Sequence, residues 1–166
     1  NAVLKAKNLI KDKHFLMLLP DDLILGKNCS KKMIDIHKKY KSSVIASMKV
    51  NKKKVSRWGI FKVNKYLSKN NFLIKNVVEK PSIKKAPSNN AIKGRYILPK
   101  KIFNNLKNQK KSKDGEVHIT DAIQALILNK NKNMRHDSEA ALRLSVLQIY
   151  FSKLLTAIDT GSIQID

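Results

Sequence analysis

Apolar positions in this chain come in short runs between lysine-rich polar stretches, and their spacing switches between helical and strand-like. From Asn1 to Ile10, residues Ala2, Val3, Ala6, Leu9 and Ile10 share one side at helical spacing. Phe15 to Leu19 is an unbroken apolar run stopped by Pro20, which predicts a buried parallel strand. Ser30 predicts the cap of a helix to about Tyr40, with Met33, Ile34, Ile36 and His37 turned toward the core. Strands are predicted over Val44–Val50, Gly59–Val63 and Phe72–Val78, the last two parted by a polar loop from Asn64 to Asn71. A further strand ends at Tyr96–Leu98, and Thr120 predicts the cap of a short helix through Ile123, Leu126 and Ile127. Strands alternating with helices predict an α/β fold with a mostly parallel sheet flanked by helices. Leu142 to Leu155 is apolar enough to pack, yet fits helical and alternating patterns equally.

One segment concentrates chemistry. Val77-Val78-Glu79-Lys80-Pro81 ends an apolar, β-branched run with a carboxylate and an ammonium side by side, and a proline stops it. The turn Ala86-Pro87-Ser88-Asn89-Asn90 then introduces Ala91-Ile92 and the run Gly94-Arg95-Tyr96-Ile97-Leu98. A buried strand ending in this way presents both charges at the carboxyl edge of a sheet, where α/β folds bind ligands. The glutamate can accept hydrogen bonds from sugar hydroxyls and the lysine can donate to a phosphate.

Composition narrows the class. The chain has 166 residues, enough for one domain with a real core. No apolar run approaches the ~20 residues that cross a bilayer, and the N-terminal pattern is not that of a signal peptide. Cys29 is the only cysteine, so no intrachain disulfide forms, and a cytoplasmic protein is expected. The net charge of +23 invites a nucleic-acid reading. Against it, only four of the 35 basic residues are arginine, the side chain best suited to reading base edges. The lysines are also dispersed, and abundant asparagine and isoleucine suggest a coding bias. A solvated basic surface is expected, able to attract anionic nucleotides at long range. The histidines His14, His37, His118 and His136 have no metal-ligand spacing, and aromatic residues are too sparse for a single-strand stacking platform.

The Glu79 segment resembles the bacterial UTP–glucose-1-phosphate uridylyltransferases, or UDP-glucose pyrophosphorylases. Three further blocks agree in order: Phe15-Leu16-Met17-Leu18-Leu19-Pro20-Asp21-Asp22-Leu23-Ile24, then Arg57-Trp58-Gly59-Ile60, then Gly115-Glu116-Val117-His118-Ile119-Thr120-Asp121-Ala122-Ile123. The resemblance runs from Asn1 to about Lys130. It implies a Rossmann-like nucleotidyltransferase core with a mostly parallel mixed sheet. It also implies a reaction in which the phosphate of glucose 1-phosphate attacks the α-phosphorus of UTP, releasing pyrophosphate and giving UDP-glucose. Such chemistry is positioning plus neutralisation of phosphoryl charge by Mg²⁺ and lysines.

By this resemblance Asp21 is the Mg²⁺ ligand and a catalytic residue, and Lys80 contacts phosphate as the second catalytic residue. Gly59, Glu79, Lys80 and Ile92 bind the sugar phosphate: Gly59 through open backbone, Glu79 through hydroxyls, Ile92 through apolar and backbone contact. Asp22 matches less well and reads as a cap of the next turn. Taken alone, Asp21 is a turn residue, Glu79–Lys80 a surface ion pair, Gly59 a strand-start glycine and Ile92 core. Asp121 matches its block, and reads equally as a first-turn residue favoured by the helix dipole.

The resemblance also sets an expected division. Residues 1–130 form a partial sugar nucleotidyltransferase domain, and residues 131–166 a non-matching tail, helical in part. No glycine-rich triphosphate loop is matched, so the chain alone is expected to make no UDP-glucose at a useful rate. Asp159-Thr160-Gly161-Ser162 echoes a motif of related enzymes, but too far from Asp121 to count. Lys107 to Lys113 reads as an exposed basic loop. UTP, glucose 1-phosphate and UDP-glucose are the expected partners, with no specific nucleic acid, no membrane, and a homo-oligomer left open. The competing readings are a basic nucleic-acid-binding protein and the product of a degraded gene.

Overall fold

The computed structural model describes residues 2–20, 22, 28–109, 115, 117–133 and 145–148. Asp21, the run 110–113 and the Asp159–Ser162 echo lie outside them. The chain opens with a short helix, α1 (Ala2–Lys5), and a 3₁₀ turn at Ala6–Asn8. Then come β1 (His14–Leu18), α2 (Cys29–Tyr40), β2 (Val44–Lys49) and a 3₁₀ segment at Lys52–Arg57. After these follow β3 (Ile60–Ser68), β4 (Asn71–Val78), β5 (Asn90–Pro99), α3 (Ile102–Asn108), α4 (Ile119–Asn133) and β6 (Ser145–Gln148).

The strands form one sheet in the order β1-β5-β2-β6-β4-β3. Among the described residues every pairing is antiparallel except β2 with β6. This corrects the expected mostly parallel sheet. The reason lies in β5, which enters between β1 and β2 and runs against both, with Phe15 opposite Leu98 and Ile45 opposite Tyr96. The strands β1 and β2 therefore share a direction without touching. Ile60 of β3 also pairs with Ala91 of β5, so the sheet curls back on itself like a half-barrel. The class remains α/β, with helices covering the sheet.

The strand β1 is also less buried than a five-residue apolar run suggests. Leu16 is 37% exposed and Leu18 52% exposed, whereas Phe15 and Met17 pack on the core. The period of two puts alternate residues on opposite faces, and in β1 only one face is fully covered. By contrast β5 is buried on nearly every residue from Asn90 to Pro99, because both of its faces are covered: Ile92, Tyr96 and Leu98 pack in the main core, and Ala91 and Ile97 in separate clusters. The stretch Asn64–Asn71 is strand rather than loop. β3 runs on to Ser68 and β4 starts at Asn71, leaving only Lys69–Asn70 as the turn. Polar residues there occupy an exposed ribbon that stays paired with β4 through irregularities in register at Val63/Lys65 and Tyr66/Ser68, so their polarity reports exposure and not a break.

The caps also differ from expectation. The N-cap of α2 is Asn28, whose side-chain oxygen accepts from the Lys31 N–H at 2.9 Å, and Ser30 already lies within the helix. Within α2, Met33 is fully buried and Ile34 is 37% exposed. His37 uses Nδ1 to bond the Ser42 carbonyl at 2.6 Å. At α1, Val3 and Leu4 pack on the core but Leu9 is 81% exposed.

The main core lies between the curled sheet and helices α3 and α4. Phe61, Phe72, Leu98, Ile102, Phe103 and Ile123 are all but fully buried. Phe15 stacks on Phe103 with centroids 5.2 Å apart, fastening β1 to α3. The helix α4 is anchored to β4 by Gln124, whose Oε1 accepts from the Val77 N–H at 3.1 Å. Among the described residues no helix is long and apolar enough to cross a membrane.

Candidate functional site

The site is built where β4 ends. Val77 is buried and Val78 half-buried, and Glu79 follows half-buried while Lys80 is exposed. Lys80 takes a left-handed backbone with φ of 40°, an uncommon conformation for a residue with a Cβ. Two features hold it there. The Lys80 N–H donates to the Trp58 carbonyl at 3.1 Å, and Pro81 behind it is buried. The chain thus turns sharply just after the carboxylate, at the point where it bonds the residue before Gly59.

Gly59, Glu79 and Ile92, far apart in sequence, meet here. The Ile92 N–H donates to the Gly59 carbonyl at 2.8 Å. A Cβ placed on Gly59 would lie 3.1 Å from Glu79 Oε2, 3.1 Å from Ile92 Cδ1 and 3.1 Å from Thr120 Cγ2. Glycine at this position lets these three side chains close over the backbone. Thr120 completes the group. It is not a helix cap: it lies inside α4, 5% exposed, and its hydroxyl donates to Glu79 Oε2 at 2.5 Å. Sequence reading missed this role, since a threonine just before a helical run looks like a cap.

A second cluster adjoins the first through Trp58. Lys93, 9% exposed, places its ammonium 5.3 Å from the Trp58 ring centroid and 3.2 Å from Asp22 Oδ1. Arg57 lies over the same ring at 5.3 Å. The other carboxylate oxygen of Asp22 accepts from the Gly94 N–H at 2.6 Å, and Arg95 bonds the carbonyls of Asp22 and Leu19. Asp22 therefore binds across to β5. The signal for Lys93 was present in the sequence, as one ammonium inside the run Ala91-Ile92-Lys93-Gly94-Arg95-Tyr96: a buried charge requires a partner.

The remaining candidates serve the frame. Asp121 lies in the first turn of α4, and its Oδ2 accepts from Gln109 Nε2 at 3.1 Å, joining α4 to the end of α3. In the turn before β5, the Ser88 hydroxyl donates to the Phe61 carbonyl at 2.7 Å and accepts from the Asn90 N–H at 3.0 Å. Asn89 donates to the Val50 carbonyl at 3.1 Å. These bonds fix where β5 begins, and so where Ile92 and Lys93 fall.

The described residues do not by themselves make a Mg²⁺ site. Among them no three His, Cys, Asp or Glu side chains come together. The carboxylates nearest the site are already bonded, Asp22 to Lys93 and Gly94, and Glu79 to Thr120. Asp21 lies outside the described residues.

Comparison with known proteins identifies the family of the chain. The nucleotidyl transferase family profile matches residues 1–164. A UTP–glucose-1-phosphate uridylyltransferase of Pseudomonas aeruginosa is 32% identical over 150 residues, covering 85% of this chain and 53% of that protein. One from Bacillus subtilis is 38% identical over 128 residues, covering 76% of this chain and 43% of its own length. The chain thus spans about half the length of these relatives. Among solved structures, a UDP-glucose pyrophosphorylase complexed with UDP-glucose superposes with a TM-score of 0.77 at 32% identity, over 91% of this chain and 54% of that one. A UTP-bound enzyme from Acinetobacter baumannii gives a TM-score of 0.71 at 28% identity, over 91% of this chain and 48% of that one.

Proposed function

This chain belongs to the nucleotidyl transferase family, and we propose that it carries the sugar-phosphate half of a UTP–glucose-1-phosphate uridylyltransferase site. The observation that carries the reading is the convergence of Gly59, Glu79, Ile92 and Thr120 at the end of β4, with Lys80 next in the chain. In this reading Glu79, an acceptor-only carboxylate, takes hydrogen bonds from glucose hydroxyls. Ile92 supplies an apolar wall against the sugar ring, and Gly59 leaves the backbone open beside it. Lys80, exposed at the turn, donates to the phosphate and offsets its charge. Asp21 would hold the Mg²⁺ that neutralises the triphosphate in the complete reaction. UTP and glucose 1-phosphate are the substrates, and UDP-glucose and pyrophosphate the products. The names of the relatives, and the UDP-glucose and UTP bound in two structural neighbours, support this choice of ligands.

Isothermal calorimetry with UDP-glucose tests the proposal. The unaltered chain is expected to bind it weakly, and Lys80→Ala to weaken binding by ~1.5–3 kcal/mol, the worth of a hydrogen bond to a charged group. Equal affinity in the two proteins would remove Lys80 from the site, and no binding by the unaltered chain would overturn the proposal as a whole.

A further inference from the structure

We propose that Thr120 is a positioning residue for Glu79, and that through Glu79 it sets which sugar hydroxyls the site accepts. This rests on the proposed function, since it takes Glu79 as the sugar-binding carboxylate. Glutamate has three side-chain torsions, and the last, at the carboxylate, is broad and ill-defined by itself. Lys80, the next residue in the chain, is exposed and Arg57 and Lys93 lie over the Trp58 ring, so none of these cations is what holds the Glu79 carboxylate. Among the described residues the donor that fixes it is the Thr120 hydroxyl, at 2.5 Å from Oε2. A hydroxyl on a carboxylate makes a short, charge-assisted bond, about twice as strong as a neutral one.

The hydroxyl is itself held. Thr120 is the second residue of α4, ahead of the first complete turn, and its hydroxyl is directed to Glu79. Its methyl faces Gly59 alongside Ile92 Cδ1 and Glu79 Oε2, each 3.1 Å from where a Cβ on Gly59 would lie, a tight fit. Thr120 is 5% exposed and β-branched, so few χ1 rotamers are open to it, which favours the one that aims its hydroxyl at Glu79. With Oε2 bonded to Thr120 the carboxylate plane is set, and Oε1 becomes an acceptor of fixed direction. A carboxylate so fixed selects a hydroxyl by position and not merely by presence, as discrimination between epimeric sugars requires. Losing such an oriented acceptor weakens binding of the matching sugar more than of its epimer.

The test is calorimetry of UDP-glucose and its C4 epimer UDP-galactose with the 166-residue chain and its variants. Thr120→Val keeps the methyl and removes the hydroxyl. It should lower affinity for UDP-glucose about tenfold, as loss of one oriented charge-assisted bond implies. It should also narrow the preference over UDP-galactose. Thr120→Ser keeps the hydroxyl and should restore most of both. In a Glu79→Gln background, Thr120→Val should cost much less than in the unaltered chain, because its effect runs through the carboxylate. If Thr120→Val does not fold, as judged by circular dichroism, the same cycle is read with Thr120→Ala. An equal loss in both backgrounds, or an unchanged sugar preference, would overturn the inference while leaving the proposed function standing. No binding of UDP-glucose by the unaltered chain would overturn both.

Discussion

The Gly94 N–H donates to Asp22 Oδ2 at 2.6 Å, binding residues 72 positions apart. The approach leaves no room for a side chain. A Cβ on Gly94 would lie 2.7 Å from Leu19 Cβ and 2.9 Å from Asp22 Oδ2. Arg95 reinforces the junction through the Leu19 carbonyl at 2.7 Å. The segment that follows β1 is thus held to β5 by backbone, carboxylate and guanidinium together.

Gly94→Ala should therefore destabilise the fold by ~1–3 kcal/mol, the usual cost of forcing a methyl into a packed contact. Gly59→Ala should cost less stability, because its neighbours at 3.1 Å are the ends of side chains that can yield. That variant should instead lose UDP-glucose affinity, as Glu79 and Thr120 are displaced. Urea unfolding and calorimetry of the two variants check the contrast, and the reverse order of stability would refute it.

Lys80 offers a cleaner separation of stability from binding. Its φ of 40° suits glycine better than any residue with a Cβ. Lys80→Gly should thus keep or raise stability, by up to ~1 kcal/mol, while losing the ammonium and most UDP-glucose affinity. A lowered urea midpoint would show that the lysine side chain is structural.

His14 carries a pH dependence of stability. Burial holds its pKa below the ordinary 6.5, with further lowering from His37, Lys101 and Lys13. His14 and His37 have ring centroids 4.7 Å apart, so a charge on one opposes a charge on the other. Well above pH 6.5 the imidazole is neutral in folded and unfolded chains alike, and contributes nothing. As pH falls through 6.5, the unfolded chain takes up a proton that the folded one resists, so stability drops, and the loss is complete below the folded pKa. Urea midpoints between about pH 7.5 and pH 5.5 should fall less for His14→Gln than for the unaltered chain. Identical slopes would remove His14 from the account.

The dispersed lysines should give only weak binding to nucleic acid. Affinity for duplex or single strands is expected to vanish as salt rises from low to physiological concentration, without sequence preference. Fluorescence anisotropy with labelled oligonucleotides measures it. Tight, sequence-selective binding at physiological salt would favour the nucleic-acid reading over the nucleotidyl transfer proposed for this chain.

From sequence alone, the α/β class, the positions of β1, β2 and β4, the helix α2, and the four family-like blocks were legible, because each depends on local apolar spacing or on short motifs. Glu79 and Lys80 stood out for the same reason, as adjacent charges ending an apolar run. Tertiary structure alone decided the rest. The direction of β5, and with it the antiparallel sheet, depends on where a strand inserts between others, which no local pattern records. Asn64–Asn71 read as a loop because polarity marks exposure, whereas strand pairing is a matter of backbone partners. Thr120 looked like a cap because its bond runs to Glu79, 41 residues away, and a hydroxyl's partner is a fact of space. Lys93 could be seen to need a partner, but only the fold could supply Asp22 and Trp58.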